Sequence, residues 1–447
     1  MTIFGIEGRY FNRLLMLATP VIIGNAGQAF VTLADNIMVG QLGAVALGSV
    51  AFSGMIVFNL MVLGTGIAIS LTPLVGESFV NKGYAKCSQL LQNSLVLNTL
   101  LGVVIVAALF AMHPLLYFLG QPQEIVDAGK EFYFIVALSI IPYMTFLSFK
   151  QFMDGVGNTK ITMVITIVSN VLNIILNYIF IYGKFGCPAM GVFGAGFSTF
   201  ISRLIMPIIY YIVIRRDIIF RKYLSFFSWK RFSLKINKSL IYLGMPIASQ
   251  MIVEIFALSI TTIMFGWMGV EAIAAGQISM SIVHIIFLIA SGIAAATTIL
   301  TSHEYGRGNR REIVKYTKAS MITTIGIMTC IGLLLSLFSR NIAMVFTQDM
   351  EVIAIATIML YVISFMEIFD GLQVSVLGSL RGMKEVEQPM KFAVVSYLFV
   401  GLPMAYVGGF VFDLGPSGVW LGFVCGLMVA FSLFLNYFYK VVKNVRF

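Results

Sequence analysis

Long apolar stretches separated by short polar ones run the whole length of this chain. Each stretch has about twenty mostly hydrophobic residues, and a helix rising about 1.5 Å per residue then crosses a hydrocarbon layer of roughly 30 Å. Twelve such stretches are centred near Ile23, Leu60, Val103, Leu138, Asn170, Ile201, Ile255, Phe287, Met328, Ser364, Phe399 and Leu427. The pattern predicts an all-α integral membrane protein with twelve transmembrane helices.

The second half of the chain repeats the first at a constant offset of 226 residues, so that Pro20 meets Pro246. Each half holds six spans, an even number, and both halves therefore enter the membrane in the same orientation. We predict two six-helix bundles related by a pseudo-two-fold axis along the membrane normal, with lobes at residues 1–214 and 239–447. Such a repeat is typical of carriers whose substrate path lies between two bundles.

The distribution of charge predicts the topology. Only 11% of the residues are charged, and 25 of the 29 Lys and Arg fall at the termini or in even-numbered loops. By the positive-inside rule both termini are cytoplasmic, and the protein is placed in the plasma (inner) membrane. Residues 215–238 form a basic cytoplasmic linker between the lobes. The linker lacks stacking aromatics and binding motifs, which argues against nucleic acid and favours contact with membrane lipids.

The spacing of the cysteines and histidines predicts neither a metal site nor a nucleophile. The four Cys and three His lie far apart in the sequence, without the spacing of a zinc site or of a Cys–His nucleophile. We therefore expect no cofactor, no structural metal and no catalytic residues. The chain is not expected to be an enzyme.

Four acidic residues lie inside predicted spans, where a carboxylate costs a few kcal/mol or more unless it faces water, a partner or a cation. Asp35 is near the outer end of the first span, Glu254 is in the middle of the seventh, and Glu367 and Asp370 are one turn apart on the tenth. A neutral carboxyl bonded between helices, or a group that snorkels to the surface, is the alternative. The short side chains of Glu254 and Asp370, more than two turns from either end, favour a functional role. Glu367 is compatible with a position facing Asp370, the outer vestibule or lipid-distal packing.

One basic residue, Arg203 on the sixth span, lies at comparable depth, and it can neutralise at most one acid. The remaining charge requires a mobile counter-ion. A buried carboxyl can take up a proton, and a ring of carboxylate, amide and carbonyl oxygens can replace the water around sodium. Either ion would compete with a cationic substrate, and sodium is a candidate at Glu254 and Asp370.

Asn170, Asn173 and Asn177 share one face of the fifth span. These amides either hydrogen-bond between helices or form part of a solvated cavity wall. The second interpretation is favoured if Asp35 faces them. Pro20 opens the first helix of its half, and Pro246 opens the corresponding helix. Each removes one backbone hydrogen bond and is a candidate bending point.

Four segments resemble the multidrug and toxic compound extrusion (MATE) transporters. They are residues 34–43 (ADNIMVGQLG), 154–160 (DGVGNTK), 264–269 (MFGWMG) and 380–384 (LRGMK). Their order, the duplication and the twelve-span frame extend the resemblance over nearly the whole chain.

Within that family the chain is similar to the NorM type, because Glu254 and Asp370 match its seventh-helix glutamate and tenth-helix aspartate, and Asp35 matches its first-helix aspartate. In DinF-type relatives an aspartate replaces Asn177, so the chain departs from that branch. The resemblance implies secondary active multidrug efflux by alternating access, in which inward Na⁺ or H⁺ drives organic cations outward.

It also implies roles for particular residues. Glu254 and Asp370 would be the ion-coupling pair, and Asp35 a second protonation or ion site. Candidate neighbours of the cation or substrate are Asn173, Asn177, Gln277 and Glu367. We expect the protein to act as a monomer.

Two other functions are alternatives to efflux. A flippase for lipid-linked oligosaccharides would require several Lys or Arg in a central cavity to bind a pyrophosphate headgroup. A membrane-embedded transferase, from a different class, would require clustered catalytic polar residues, and neither a His–Asp nor a Ser–His arrangement is present.

Overall fold

The computed structural model describes residues 2–3, 6–224, 226–228 and 232–444, and is almost entirely helical. Within these residues, twelve helical spans are long and apolar enough to cross a membrane, and each contains one of the twelve predicted centres. The prediction of an all-α protein with twelve transmembrane helices is confirmed. A two-residue hairpin precedes the first helix, formed by strands β1 (Thr2–Ile3) and β2 (Ile6–Glu7).

The first six spans are built from helices α1 to α8. These are α1 (Gly8–Gly40), α2 (Ala44–Ile69), α3 (Leu71–Val80), α4 (Tyr84–Met112), α5 (Gln123–Leu138), α6 (Ile140–Val156), α7 (Thr159–Tyr182) and α8 (Gly191–Arg216). A short helix, α9 (Ile218–Leu224), follows. The second span joins α2 to α3, the third ends in a 3₁₀ turn at His113–Phe118, and the fourth joins α5 to α6.

The last six spans are built from α10 to α16. These are α10 (Leu234–Trp267), α11 (Val270–Gly306), α12 (Arg310–Phe346), α13 (Met350–Gly382), α14 (Glu387–Val394), α15 (Leu402–Tyr406) and α16 (Gly415–Asn444). The eleventh span, Glu387–Val411, is irregular because π-helical turns at Val395–Gly401 and Val407–Val411 interrupt it.

Local sequence signals explain several helix ends. The Asn158 side chain caps α7 by accepting a hydrogen bond from the Ile161 amide at 3.3 Å. Asp349 caps α13 through the Glu351 amide at 2.9 Å. Gly183 ends α7 in the left-handed conformation, at φ 66°, which glycine adopts without strain.

Residue contacts divide the chain into two compact units whose bounds fall inside helices. One unit comprises residues 23–248, and the other residues 1–22 and 249–447. We call them the amino-terminal and carboxy-terminal units. The first part of α1 therefore packs within the carboxy-terminal unit, and the first part of α10 within the amino-terminal one. The two units have thus exchanged the first parts of α1 and α10, which the prediction of lobes at 1–214 and 239–447 does not include. The two-fold relationship between the lobes stays a prediction.

The prediction that Pro20 and Pro246 open their helices is wrong, because both lie inside helices, α1 and α10 respectively. The turns before Pro20 stay helical because they are buried by packing. Tyr10 and Leu14 are in one hydrophobic cluster with Ile293 of α11 and Tyr316 of α12. The exchanged parts of α1 and α10 end at Ile22 and Ala248, and each proline lies two residues before that end.

Two repeat-related glycines make this exchange sterically feasible. A Cβ atom on Gly66 of α2 would lie 2.4 Å from the Cα of Ala248, and a Cβ on Gly292 of α11 would lie 2.4 Å from Cγ1 of Ile22. Gly66 and Gly292 correspond at the offset of 226 residues, and so do Ile22 and Ala248. The internal repeat therefore extends to the helix contacts themselves.

The predicted linker is largely helical. Of residues 215–238, α8 includes the first two, α9 follows, and α10 begins at Leu234; residues 225 and 229–231 lie outside the described residues. Side chains of α4 hold the described part. Gln92 donates to the Ser228 carbonyl at 2.9 Å and accepts from its amide at 3.1 Å, and Asn93 accepts from the Ser233 amide at 2.9 Å. These bonds fix the connection onto the amino-terminal unit.

Candidate ion-coupling sites

In the amino-terminal unit, α1 and α7 lie side by side and run in the same direction, as a first and a fifth span must. A Cβ on Gly27 of α1 would lie 3.1 Å from Nδ2 of Asn170 on α7. Further along, the Tyr182 hydroxyl donates to the Met38 carbonyl at 2.9 Å. This register turns the asparagine stripe of α7 toward Asp35.

The Asp35 carboxylate accepts a hydrogen bond from Nδ2 of Asn177. The same amide group donates to Oδ1 of Asn173 at 3.2 Å. Asn173 and Asn177 are buried, and Asp35 is half-buried. The stripe therefore contacts Asp35 directly, and we call Asp35, Asn173, Asn177 and Arg203 the amino-terminal site.

Arg203 of α8 supplies positive charge to this site, because it interacts electrostatically with Asp35. Its Nη1 donates to the Ser139 hydroxyl at 2.8 Å, and its guanidinium carbon lies 5.0 Å from the centre of the Tyr143 ring. These contacts orient the guanidinium by a hydrogen bond and a cation–π interaction. Asp35 therefore has both a hydrogen-bond donor and a resident counter-charge when it is ionised.

In the carboxy-terminal unit, Glu254 of α10 and Asp370 of α13 interact electrostatically. Their role as an ion-coupling pair stays a prediction. Asp370 is buried and Glu254 is half-buried. With Glu367, Gln373 and Arg381 they form what we call the carboxy-terminal site. Two carboxylates held together in apolar surroundings repel each other unless a cation or a proton accompanies them.

Asp370 is positioned by a buried amide. Nε2 of Gln373 lies 3.5 Å from Oδ1 of Asp370 and donates to the Tyr397 hydroxyl at 2.7 Å. Gln373 and Tyr397 are both completely buried. Tyr397 lies in the first π-helical turn of the eleventh span, and such turns frequently occur at functional sites.

The expectation that Arg203 alone among basic residues lies near the buried acids is wrong. Arg381, assigned from sequence to a cytoplasmic loop, is in the last turn of α13 and interacts electrostatically with Glu254. Its Nη2 donates to Oε1 of Gln250, one turn before Glu254 on α10, at 3.3 Å. Asp370 and Arg381 are eleven residues apart, only about 20° from a whole number of helical turns, so they share one face of α13. An arginine side chain is long enough for its charge to lie deeper in the membrane than its Cα atom.

The two remaining candidates differ in placement. Glu367 is 1% exposed and interacts electrostatically with Asp370. Of the three positions considered for it, Glu367 therefore takes the one that faces Asp370. Gln277 of α11 is exposed, and in the described part of the chain no hydrogen bond joins its side chain to Glu254 or Asp370. The structure therefore brings Glu367, but not Gln277, into the carboxy-terminal site.

Sequence reasoning missed Gln250, Gln373, Arg381 and Tyr397. A helical-face comparison would have found Gln250, four residues before Glu254, and Arg381, on the face of Asp370. Tyr397 carries no such signal, because the π-helical turn that positions it is not visible in the hydropathy pattern.

The carboxy-terminal site groups side chains of the kinds that accept protons and small cations. It offers carboxylate oxygens from two helices together with amide and phenol groups, which are oxygen ligands of the kind that sodium accepts. Among the described residues no three His, Cys, Asp or Glu side chains are grouped so that they could hold a metal ion. Any bound sodium would therefore depend on amide or carbonyl oxygens in addition to the acids.

A duplicated frame of twelve membrane-spanning helices with a buried acid site in each unit defines a multi-pass membrane transporter rather than a catalyst. The family model described as MatE matches residues 20–179 and 246–407, once in each half. The chain belongs to the MatE family.

Relatives and solved structures agree with this assignment. The chain is 29% identical over 426 residues to the Multidrug resistance protein NorM of Vibrio cholerae, covering 94% of this chain and 93% of that one. It is 30% identical over 434 residues to a Photorhabdus laumondii protein named "Probable multidrug resistance protein NorM", covering 96% and 95%. Among solved structures, the Vibrio cholerae MATE transporter VcmN, in a mutant form, has a TM-score of 0.89 at 17% identity and 98% coverage of both chains.

Proposed function

We propose that this chain is a secondary active multidrug efflux transporter, which exports organic cations in exchange for Na⁺ or H⁺ by alternating access. The observation that carries the proposal is the electrostatic interaction of Glu254 with the buried Asp370 inside the membrane-spanning region. An incoming ion and a departing cationic substrate would both be stabilised by the same carboxylates. They would therefore compete for the site, and this competition couples the two movements.

The membrane supplies enough energy for such an exchange. One elementary charge moving across 100 mV is worth about 2.3 kcal/mol, which supports roughly a fiftyfold concentration ratio before any ion gradient is added. Inward movement of Na⁺ or H⁺ through the carboxy-terminal site is the proposed source, and Asp35 provides a second ion or proton site.

We infer the membrane, the orientation and the oligomeric state from the family and from the distribution of charge. NorM relatives carry multidrug resistance in their names, and we extend that activity to this chain. We place the protein in the plasma (inner) membrane, as a monomer, with both termini cytoplasmic and in contact with membrane lipids. The flippase alternative loses support because Arg203 and Arg381, which are both half-buried, each interact with a carboxylate of this chain.

The test replaces Asp370 with Asn, which preserves the size of the side chain but removes its charge. We expect Asp370→Asn to lower gradient-driven export of ethidium from proteoliposomes at least tenfold, about 1.4 kcal/mol or more in the barrier, because the ion loses its binding group. Separate imposed Na⁺ and pH gradients identify the coupling ion.

Asp413→Asn is the matched control. Asp413 is exposed after the eleventh span at φ 52°, a conformation that Asn also adopts readily, so this variant should export normally. Normal export by Asp370→Asn, with insertion and folding verified, would contradict the proposed function.

A further inference from the structure

The start of α12 carries a dense group of positive charges. Residues 307–318 include five basic side chains and a single acid, Glu312. Lys315 pairs with Glu312 at 3.2 Å, and its ammonium group also donates to the Tyr10 hydroxyl at 3.0 Å. The charge of Lys315 is therefore compensated by its neighbour on the same helix.

Arg310 and Arg311 have no such compensation. Both are exposed, and neither side chain forms an ion pair or a hydrogen bond with any residue that the structure describes. Arg307, just before them, differs because it pairs with Glu304. Two adjacent guanidinium groups therefore present positive charge that attracts anions.

These two arginines line an open cavity of about 450 Å³, together with Val314 and Lys315. Each arginine lies one helical turn before one of the other two residues, so the four side chains are neighbours on one side of α12. Cavities that bind small ligands commonly measure roughly 300–1,000 Å³. The cavity therefore has the size of a ligand site and a wall that carries two uncompensated cations.

The internal repeat shows what occupies the corresponding surface in the other unit. At the offset of 226 residues, Arg310 and Val314 correspond to Tyr84 and Ser88 of α4. There the Ser88 hydroxyl donates to the Tyr223 carbonyl of α9, and the rings of Tyr84 and Tyr223 lie 5.7 Å apart between centres. Helix α9 thus covers the surface on α4, whereas in the described part of the chain the related surface on α12 is open.

The length of α12 places the cavity at the level of the lipid headgroups. The helix has 37 residues and is about 55 Å long, well beyond a hydrocarbon layer of roughly 30 Å. No charged residue occurs between Lys318 and Arg340, so residues 319–339 match that layer. Val314 and Lys315 then lie about 6–8 Å outside it, and the headgroup layer is roughly 5–8 Å thick. The arginines lie one turn further toward the water.

Below the cavity, the same side of α12 becomes apolar. Ile325 and Leu333 lie within about 40° of Arg311 around the helix. They are 41% and 61% exposed, respectively. A molecule with a phosphate at the cavity and hydrocarbon chains below it would therefore meet matching chemistry along one side of the helix. A free phosphate would leave the apolar part of this surface unused.

We propose that this cavity binds the headgroup of an anionic phospholipid, with Arg310 and Arg311 donating to its phosphate oxygens. Guanidinium groups bind phosphate by paired, charge-assisted hydrogen bonds, and basic pockets beside membrane-spanning helices bind anionic headgroups. A zwitterionic lipid fits less well because its own ammonium group would meet the two arginines. The proposal goes beyond efflux, since lipid binding at this surface requires neither an ion gradient nor a drug.

The experiment measures lipid binding to the purified, delipidated chain in detergent. Phosphatidylglycerol and phosphatidylcholine with the same acyl chains are titrated separately, and native mass spectrometry counts the lipids bound. We expect tighter binding of phosphatidylglycerol, and the double variant Arg310→Gln, Arg311→Gln should weaken it at least tenfold while leaving phosphatidylcholine binding unchanged. Unchanged phosphatidylglycerol binding in this variant overturns the proposal.

A second double variant removes the same amount of charge elsewhere. Lys440 and Lys443 are exposed on α16 and do not line the cavity. Lys440→Gln, Lys443→Gln should bind phosphatidylglycerol as tightly as the unsubstituted chain. An equal loss in both double variants would show that general surface charge, rather than the cavity, attracts the lipid, and would overturn the proposal.

Inorganic phosphate separates a lipid site from a site for a free anion. At a tenfold molar excess over phosphatidylglycerol it should leave most of the lipid bound, and displacement of more than half of the lipid overturns the proposal. If the arginine double variant does not fold, Arg310→Gln and Arg311→Gln are measured singly. Phosphatidylglycerol binding that neither weakens also overturns it.

The proposed function is tested separately. Asp370→Asn changes a buried residue of α13 and none of the four residues that line this cavity. Export by Asp370→Asn would therefore contradict the proposed function without affecting the lipid site, and loss of lipid selectivity would overturn the lipid site alone.

Discussion

At the scale of single residues, the buried acids differ in what accompanies them. Asp35 has an amide donor and interacts with a guanidinium, whereas Glu254 interacts with a guanidinium and a carboxylate. Asp370 has the Gln373 amide beside it, whereas Glu367 has no hydrogen-bond partner among the residues that the structure describes. Because the cost of a charge in lipid depends on such partners, the four carboxyls are not interchangeable.

Glu254→Gln tests the pairing with Arg381. The substitution leaves the arginine without its carboxylate, so a cation arriving at Asp370 meets an uncompensated positive charge. We expect Na⁺- or H⁺-dependent release of bound ethidium to slow severalfold, measured by rapid mixing of dye-loaded protein with ion. The assignment would not survive release that is unchanged at every sodium concentration and pH.

Asn177→Leu tests the hydrogen bond to Asp35. The Leu side chain has the same number and branching of heavy atoms as Asn but cannot donate, so the carboxylate loses its donor, at a cost of about 1–3 kcal/mol. We expect a lower midpoint of thermal unfolding and weaker ion dependence of transport. Asn341→Leu, at an exposed position of α12, is the comparison and should change neither. Two variants with the same unfolding midpoint would refute the structural part of this prediction.

At the scale of helices, close backbone contact depends on glycine at a few places. The contact of α2 with α10 at Gly66 and Ala248 is mirrored by α11 and α1 at Gly292 and Ile22. Small residues allow helix backbones to approach closely in membrane proteins. The identity of Gly66 and Gly292 in the repeat therefore has a packing reason.

Gly66→Ala and Gly54→Ala, both on α2, should have opposite effects. Ala favours a helix over Gly by about 1 kcal/mol, and no atom of the described part of the chain lies within 4 Å of a Cβ at Gly54. Gly54→Ala should therefore be neutral or stabilising. A Cβ at Gly66 meets the backbone of α10, and overpacking of this kind costs about 1–3 kcal/mol. Thermal unfolding in detergent checks the sign, and an unfolding midpoint for Gly66→Ala at or above that of Gly54→Ala would disprove the contact.

At the scale of the whole molecule, the repeat and the compact units do not share boundaries. The sequence repeat pairs spans one to six with spans seven to twelve, whereas residue contacts assign residues 1–22 to the unit that contains 249–447. The bounds fall next to Pro20 and Pro246, where a missing backbone hydrogen bond weakens the helix. The proposed bending points therefore coincide with the places where α1 and α10 pass from one unit to the other.

The predicted orientation is tested by labelling. In a variant without the four native cysteines, Gln121→Cys lies after the third span and Asn309→Cys after the eighth, both exposed. A membrane-impermeant maleimide added to intact cells should modify Gln121→Cys strongly and Asn309→Cys only after the membrane is opened. The reverse pattern would place both termini outside.

The hydropathy pattern alone determined the number, order and approximate position of the twelve spans, because about twenty apolar residues have a single stable environment, the lipid. It also identified Asp35, Glu254 and Asp370, since charge at such depth stands out against apolar neighbours. Only the tertiary structure decided which polar groups meet. Arg381 contributes to the site because α13 presents it on the face of Asp370, and Tyr397 does so through an irregular helical turn. Hydropathy records how deep a residue lies in the membrane, whereas contacts depend on helix rotation and register, which packing sets between elements distant in the chain.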